Sequence, residues 1–284
     1  MTKYIITTES GSDISPQLVE RYGIHVIPMH VTMGSETYDD GSFDVEDIYH
    51  FYDKTGTLPK TSGSTPQDCT VVFERIFAEH PEAHIIHVAY SAVTTVSYNS
   101  CVIAARELEN IHIVDSKNVS GGLTAIVVAT AKFIKHNPKA TPEEIVAFVE
   151  DVRERTRFVF LPQSLLYLKA GGRVSNTAYL GASLLRLHPT IILENGYLVA
   201  SKKYRGSYER CLKNTVKDFV TNYNIDPETL TIGGTPGLTE DYKQLGASTL
   251  NKNGYENPQW FSAGAVISSH GGPGAFGIIG IEKK

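Results

Sequence analysis

Hydrophobic positions along the chain fall into short β-branched runs separated by longer stretches with helical spacing. YIIT from Tyr4, HVIP from His25, HIIHVAY at 84–90 and IHIV at 111–114 have the pattern of buried strands, and residues 14–22, 66–79 and 98–109 between them place apolar side chains at helical intervals. Such alternation predicts a parallel sheet with crossover helices on its faces. GGLTAIVVATAKFIK at 121–135 predicts a helix apolar on nearly every side. TPEEIVAFVEDVRER predicts another, with Thr141 as N-cap and Pro142 in the first turn.

The pattern changes after the strand TRFVF. A helix SLLYLKA, a glycine break and a second small-residue helix lead into TIILENG and YLVASKKY, two strands joined by a turn at Asn195-Gly196. A helix over 207–223, a strand TLTIGG, a helix over 239–253 and terminal strands SAGAVISS and FGIIGIE complete the chain. These elements predict two domains: a parallel-sheet α/β domain over 1–160 and an α+β domain over 161–284.

Composition narrows the function without naming it. With 284 residues, 41% hydrophobic and 20% charged, the chain can bury a sizeable core. Its formal net charge of −5 and the absence of a Lys/Arg cluster argue against a nucleic-acid partner. The apolar run near the N-terminus is too short for a signal segment or a membrane span, so a cytoplasmic protein is expected. Cys69, Cys101 and Cys211 lie far apart with no CxxC, which predicts reduced, mostly buried thiols and neither a disulfide nor a zinc motif. His84 and His87, three apart on a strand, point to opposite faces and do not form a ligand pair. No metal and no cofactor are expected.

Candidate chemistry sits in loops. LPKTSGSTPQD at 58–68 puts Thr61, Ser62, Ser64 and Thr65 before a helix, where free amides and hydroxyls suit an anionic oxygen ligand or, more simply, an N-cap by Ser64 or Thr65. A second hydroxyl-rich loop, AYSAVTTVSYNSC, follows the strand HIIHV. It brings Ser91, Thr94, Thr95 and Ser97 to the edge where open α/β sheets bind ligands. In YLKAGGRVSNTAYLGASLLRLHPTI, Arg173 follows Gly171-Gly172, and Ser175 can cap a helix whose small residues Ala178, Gly181 and Ala182 allow close packing; the arginine can grip a carboxylate or phosphate, or pair with a structural acid. SSHGGPGAFGIIG places His270 in a glycine-rich loop between two strands, without the GK[ST] ending of a phosphate-binding loop. Nucleophile-elbow, kinase and dinucleotide motifs are absent.

TTESGSD, PKTSGSTP, the hydroxyl loop before YNS, YLKAGGRVS with LLRLHPTI, and HGGPGAFG, taken in this order over essentially the whole chain, resemble the DegV family. That resemblance implies a two-domain α/β fold enclosing a long-chain fatty acid, with the carboxylate held between the domains by Thr61 or Ser62, Thr95, Arg173 and His270. Ser91 and Ser97 belong to the same binding loop. The family's SSxLSGTY stands here as YSAVTTVSY, with Ala92, Thr95, Val96 and Ser97 at altered positions, and its TSQP as Thr61-Ser62-Gly63-Ser64. The resemblance further implies a non-enzymatic carrier that presents the acid to a separate fatty acid kinase for acyl-phosphate formation in phospholipid synthesis, with Arg173 and His270 beside the carboxylate. The competing reading from the residues is a stand-alone hydrolase or transferase with His270 as general base; a third is a binder of another apolar carboxylate.

Overall fold

A computed structural model describes residues 2–174 and 187–284. The helix expected after Arg173, with Ser175, Ala178, Gly181 and Ala182, lies outside the described residues. Numbered along the chain, β1 (Tyr4–Glu9), β2 (His25–Ile27), β6 (His84–Ala89) and β7 (Ile111–Asp115) form a sheet in the order β2-β1-β6-β7, every pair parallel. Helices α3 (Pro66–Glu79) and α4 (Ser97–Ala104) cover one face. Their apolar side is Val72, Phe73 and Ile76 packed against Ile5, Ile27 and Ile85. Thr65 caps α3 in a capping box with Asp68, and Thr141 does the same for α6 (Pro142–Arg155) with Glu144.

A small antiparallel sheet, β4-β3-β5, joins β3 (His30–Met33) to β4 (Glu36–Asp39) and β5 (Lys60–Ser62). The segment 58–68 is therefore not all loop. Three residues of edge strand are too short to leave an alternating signature in the sequence.

The third sheet has the order β10-β9-β8-β13-β11-β12 and comprises β8 (Thr156–Leu161), β9 (Leu187–Glu194), β10 (Tyr197–Arg205), β11 (Thr231–Gly234), β12 (Gln259–Ser262) and β13 (Phe276–Ile281). It is antiparallel except for the β11/β12 pair. Asn195 and Gly196 both adopt positive φ, 50° and 84°, in the tight turn of the β9/β10 hairpin. β8 spans the predicted boundary at 160 and joins this sheet. Helix α5 (Ser120–His136) packs against β1 and β6 on one side and β8 and β13 on the other. Lying between two sheets is what demands apolar residues nearly all round it. No helix among the described residues is long and apolar enough to cross a membrane.

Two further sequence expectations are overturned. SAGAVISS is not a strand: β12 ends at Ser262, and Ala265–Gly271 forms helix α10. Its amides are received by distant acids, with Gly264 N–H donating to Asp13 Oδ1 at 2.7 Å and Ala265 N–H to Asp40 Oδ1 at 2.9 Å. Long-range capping outweighs the local strand propensity of Val266 and Ile267. The cysteine reading changes as well. α3 and α4 pack side by side with the Cα atoms of Cys69 and Cys101 5.3 Å apart, and the two sulfurs are joined in a disulfide. Spacing along the chain does not show which helices become neighbours. Cys211 is a free, buried thiol, as expected.

Candidate ligand site

The two hydroxyl segments meet because Gly63 lacks a side chain. A Cβ there would stand 2.3 Å from Thr95 Oγ1 and 2.5 Å from Ser97 Oγ. Ser97 Oγ accepts the Ser64 N–H at 3.0 Å and lies 3.2 Å from Thr95 Oγ1, tying one segment to the other. Thr61 projects from β5 towards α10, and its Oγ1 lies 2.7 Å from His270 Nε2. His270 stands in the last turn of α10 and not in an inter-strand loop. Its ring is seated against Gly171, where a Cβ would fall 2.2 Å from Nδ1. The first glycine of the GGR segment is thus a seat for the imidazole. Gly172 adopts φ 63° at the end of α7 (Leu166–Gly171), which turns the chain so that Arg173 Nη1 donates to the Gly171 carbonyl at 2.8 Å.

A small polar cavity of about 20 Å³ opens among Thr61, Ser62, Thr94, Thr95, Arg173 and His270, floored by Met29, Tyr90 and Val266. Next to it lies an apolar space of about 60 Å³ walled by Phe158, Phe160, Leu168, Leu198, Phe261, Ile267 and Phe276. Tyr90, Arg173 and His270 line both. The arrangement is a polar cavity beside an apolar one, lined by β5, by the loop that follows β6 and by strands of the third sheet.

Electrostatics at the neck are specific. Burial, with the Arg173 guanidinium adding to it, pushes His270 down from 6.5 to about 4, so the ring is neutral at neutral pH. Its Nδ1 has no hydrogen-bond partner among the described residues. Among the described residues Arg173 is the one cationic side chain lining the two cavities. Burial also raises Tyr90, keeping its phenol protonated.

Of the residues singled out by sequence, Thr61, Ser62, Thr94, Thr95, Arg173 and His270 come together around the polar cavity. Ser91, Ser64, Thr65 and Ser97 do not line it. Ser91 donates to the Gly196 carbonyl in the β9/β10 turn at 2.8 Å, Ser64 donates to the Pro28 carbonyl at 2.7 Å, and Thr65 caps α3. Ser97 supports Thr95 from behind. Val96 is 63% exposed with φ −82°, so the position needs no glycine and its side chain stays out of the cavity. Sequence reasoning missed Tyr90, Asp13 and Asp40. Asp13 and Asp40 hold the N-terminal end of α10 and thereby set where His270 stands; Asp13 was visible only as the end of TTESGSD. Burial raises the carboxyl pKa of both acids, that of Asp13 well above the usual range.

The sequence matches the family described as "Uncharacterised protein, DegV family" over residues 3–283. Among similar chains, a DegV domain-containing protein of Caldanaerobacter subterraneus is 27% identical over 286 residues, and one of Staphylococcus aureus is 26% identical over 286 residues, each covering 100% of both chains. Among solved structures, a DegV family protein from Thermus thermophilus, described for its fatty acid binding, superposes with a TM-score of 0.86 at 23% identity, covering 99% of this chain and 100% of that one. DegV of Bacillus subtilis, described as a fatty acid binding protein, gives 0.84 at 23% identity over 100% of both. A stearic acid-binding protein from Eubacterium ventriosum gives 0.79 at 21% identity, covering 100% and 99%. These superpositions establish a shared fold.

Proposed function

The chain belongs to the DegV family, and from that premise we propose that it binds a long-chain fatty acid, with the carboxylate in the polar cavity and the acyl chain in the apolar space beyond. The observation that carries this reading is the junction of the two cavities at Tyr90, Arg173 and His270. Arg173 supplies the charge. A neutral His270 donating through Nε2–H to Thr61 leaves the Thr61 hydroxyl proton free to donate to the carboxylate, and Thr95 offers a second hydroxyl. The related proteins of known structure that are described as fatty acid binding support the choice.

Affinity comes mainly from the tail. About fifteen methylenes leaving water at roughly 0.8 kcal/mol each are worth on the order of 10 kcal/mol before ordering costs. The apolar space of about 60 Å³ holds roughly two water volumes, so the chain enters by displacing the side chains that meet there. Mass spectrometry of lipid extracted from the natively purified protein is expected to recover one fatty acid per chain. Recovery of none, with no uptake of oleate by the delipidated chain, refutes the reading.

We further propose that the bound acid is presented to a separate ATP-dependent fatty acid kinase, which transfers the γ-phosphoryl group to a carboxylate oxygen, giving acyl phosphate and ADP and feeding phospholipid synthesis. Arg173 and His270, beside the carboxylate, meet the incoming charge. In an assay supplied with such a kinase, Arg173→Ala and His270→Ala are expected to retain lipid and lose acyl-phosphate formation; unchanged turnover in both removes them from that role. A stand-alone hydrolase reading lacks support in the geometry. A ring held near pKa 4 is a weak base at neutral pH, and no Asp or Glu among the described residues hydrogen-bonds His270 to orient it.

A further inference from the structure

Behind the hydroxyl segments, outside the ligand site, three fully buried side chains converge: Glu9 at the end of β1, His87 on β6 and Cys101 on α4. One ligating atom from each lies within 4.8 Å of the others. Glu9 and His87 each have one atom satisfied and one turned inward. Glu9 Oε2 accepts the Tyr90 N–H at 2.8 Å, and His87 Nδ1 meets Thr7 Oγ1 at 2.9 Å. Glu9 Oε1 and His87 Nε2 have no hydrogen-bond partner among the described residues. They face each other at 3.4 Å, longer than the roughly 2.7–3.2 Å of an N–H···O bond. Two ligands held at about 2.0–2.1 Å by one tetrahedral ion stand roughly 3.3–3.4 Å apart.

We propose that, once the Cys69–Cys101 bond is reduced, Glu9, His87 and Cys101 bind a zinc-class divalent cation, and the freed Cys69 thiol, bonded to Cys101 before reduction but outside the 4.8 Å cluster, swings in as the fourth ligand. The supporting contacts suit the task. Donation from Nδ1–H to Thr7 Oγ1 leaves the lone pair on Nε2, and the Tyr90 amide orients the carboxylate. A set of two sulfurs, one imidazole and one carboxylate in a closed core fits a tetrahedral structural ion. The site is redox-gated because the disulfide offers no thiolate. A dithiol delivers two electrons and two protons to the sulfurs and closes into its own disulfide; the two thiol protons then leave as the cation binds.

The test uses the full chain reduced with a dithiol, freed of it without air, and titrated with Zn²⁺ against a chromophoric chelator. Reduced protein is expected to take one zinc per chain and oxidised protein none, and Co²⁺ in place of zinc is expected to show a thiolate-to-metal charge-transfer band. His87→Ala should weaken zinc at least tenfold, and Cys69→Ser with Cys101→Ser should abolish the cobalt band. Equal uptake by oxidised and reduced chains, or uptake unchanged by His87→Ala, overturns the proposal. So does a band surviving in the double variant, which would assign the metal to Cys211. Should the variants not fold, absence of the thiolate band in reduced wild-type protein overturns it equally.

Discussion

At Gly171 the missing side chain is what the His270 ring rests on. Gly171→Ala places a Cβ against Nδ1, far inside van der Waals contact, so the ring must leave Thr61. A few-fold weaker binding of a fluorescent fatty acid is expected, no larger than for His270→Ala, which keeps its lipid through the tail, with a smaller loss for Thr61→Val, which leaves the ring seated. The same ring sets a pH dependence whose sign follows from its depressed pKa. Between pH 6.5 and about 4 the unfolded chain binds a proton that the folded chain refuses, so stability falls as pH falls through that window, by up to about 3 kcal/mol. Urea unfolding at pH 7 and pH 4 should show a smaller drop for His270→Gln than for wild type. The histidine was legible in HGGPGAFG as a candidate. Its neutrality was not, because that depends on what buries it.

Helices differ in how far they were legible. α3 and α6 announce themselves through Thr-Pro starts and acids three residues after the cap, all within one turn. α10 does not, since Asp13 and Asp40 reach its amides from positions more than two hundred residues away. Asp40→Ala removes acceptors for Ala265, Val266 and the Ser10 hydroxyl and should cost about 1–3 kcal/mol in urea unfolding. Asp13→Asn should behave differently. Burial raises the Asp13 carboxyl pKa, so the folded chain holds a proton that the unfolded chain has lost, and wild-type stability falls as pH rises through that interval. The asparagine variant is expected to be the more stable at neutral pH, with its advantage closing as pH falls towards the unfolded carboxyl pKa; an advantage independent of pH sinks this account.

In the whole molecule, the disulfide closes a sequence separation of 32 residues and joins the two helices that follow the hydroxyl segments. By loop-closure entropy it is worth about 3–4 kcal/mol, and chelator-treated reduced protein should unfold at correspondingly lower urea. A bound fatty acid at one hundred times its Kd should add about 2.7 kcal/mol, visible as a concentration-dependent rise in Tm. The sequence by itself determined the two architectures, the parallel character of the first sheet, the Asn195-Gly196 hairpin and the hydroxyl, arginine and histidine candidates. These follow from periodicity, turn chemistry and caps that act over a few residues. Tertiary structure alone decided that α10 is a helix, that Cys69 meets Cys101, that Ser91 and Ser97 brace the site while Thr61 and Thr95 line it, and that Glu9 faces His87. Each of these is a contact between distant segments, whose free energy exists only once the sheets have brought them together.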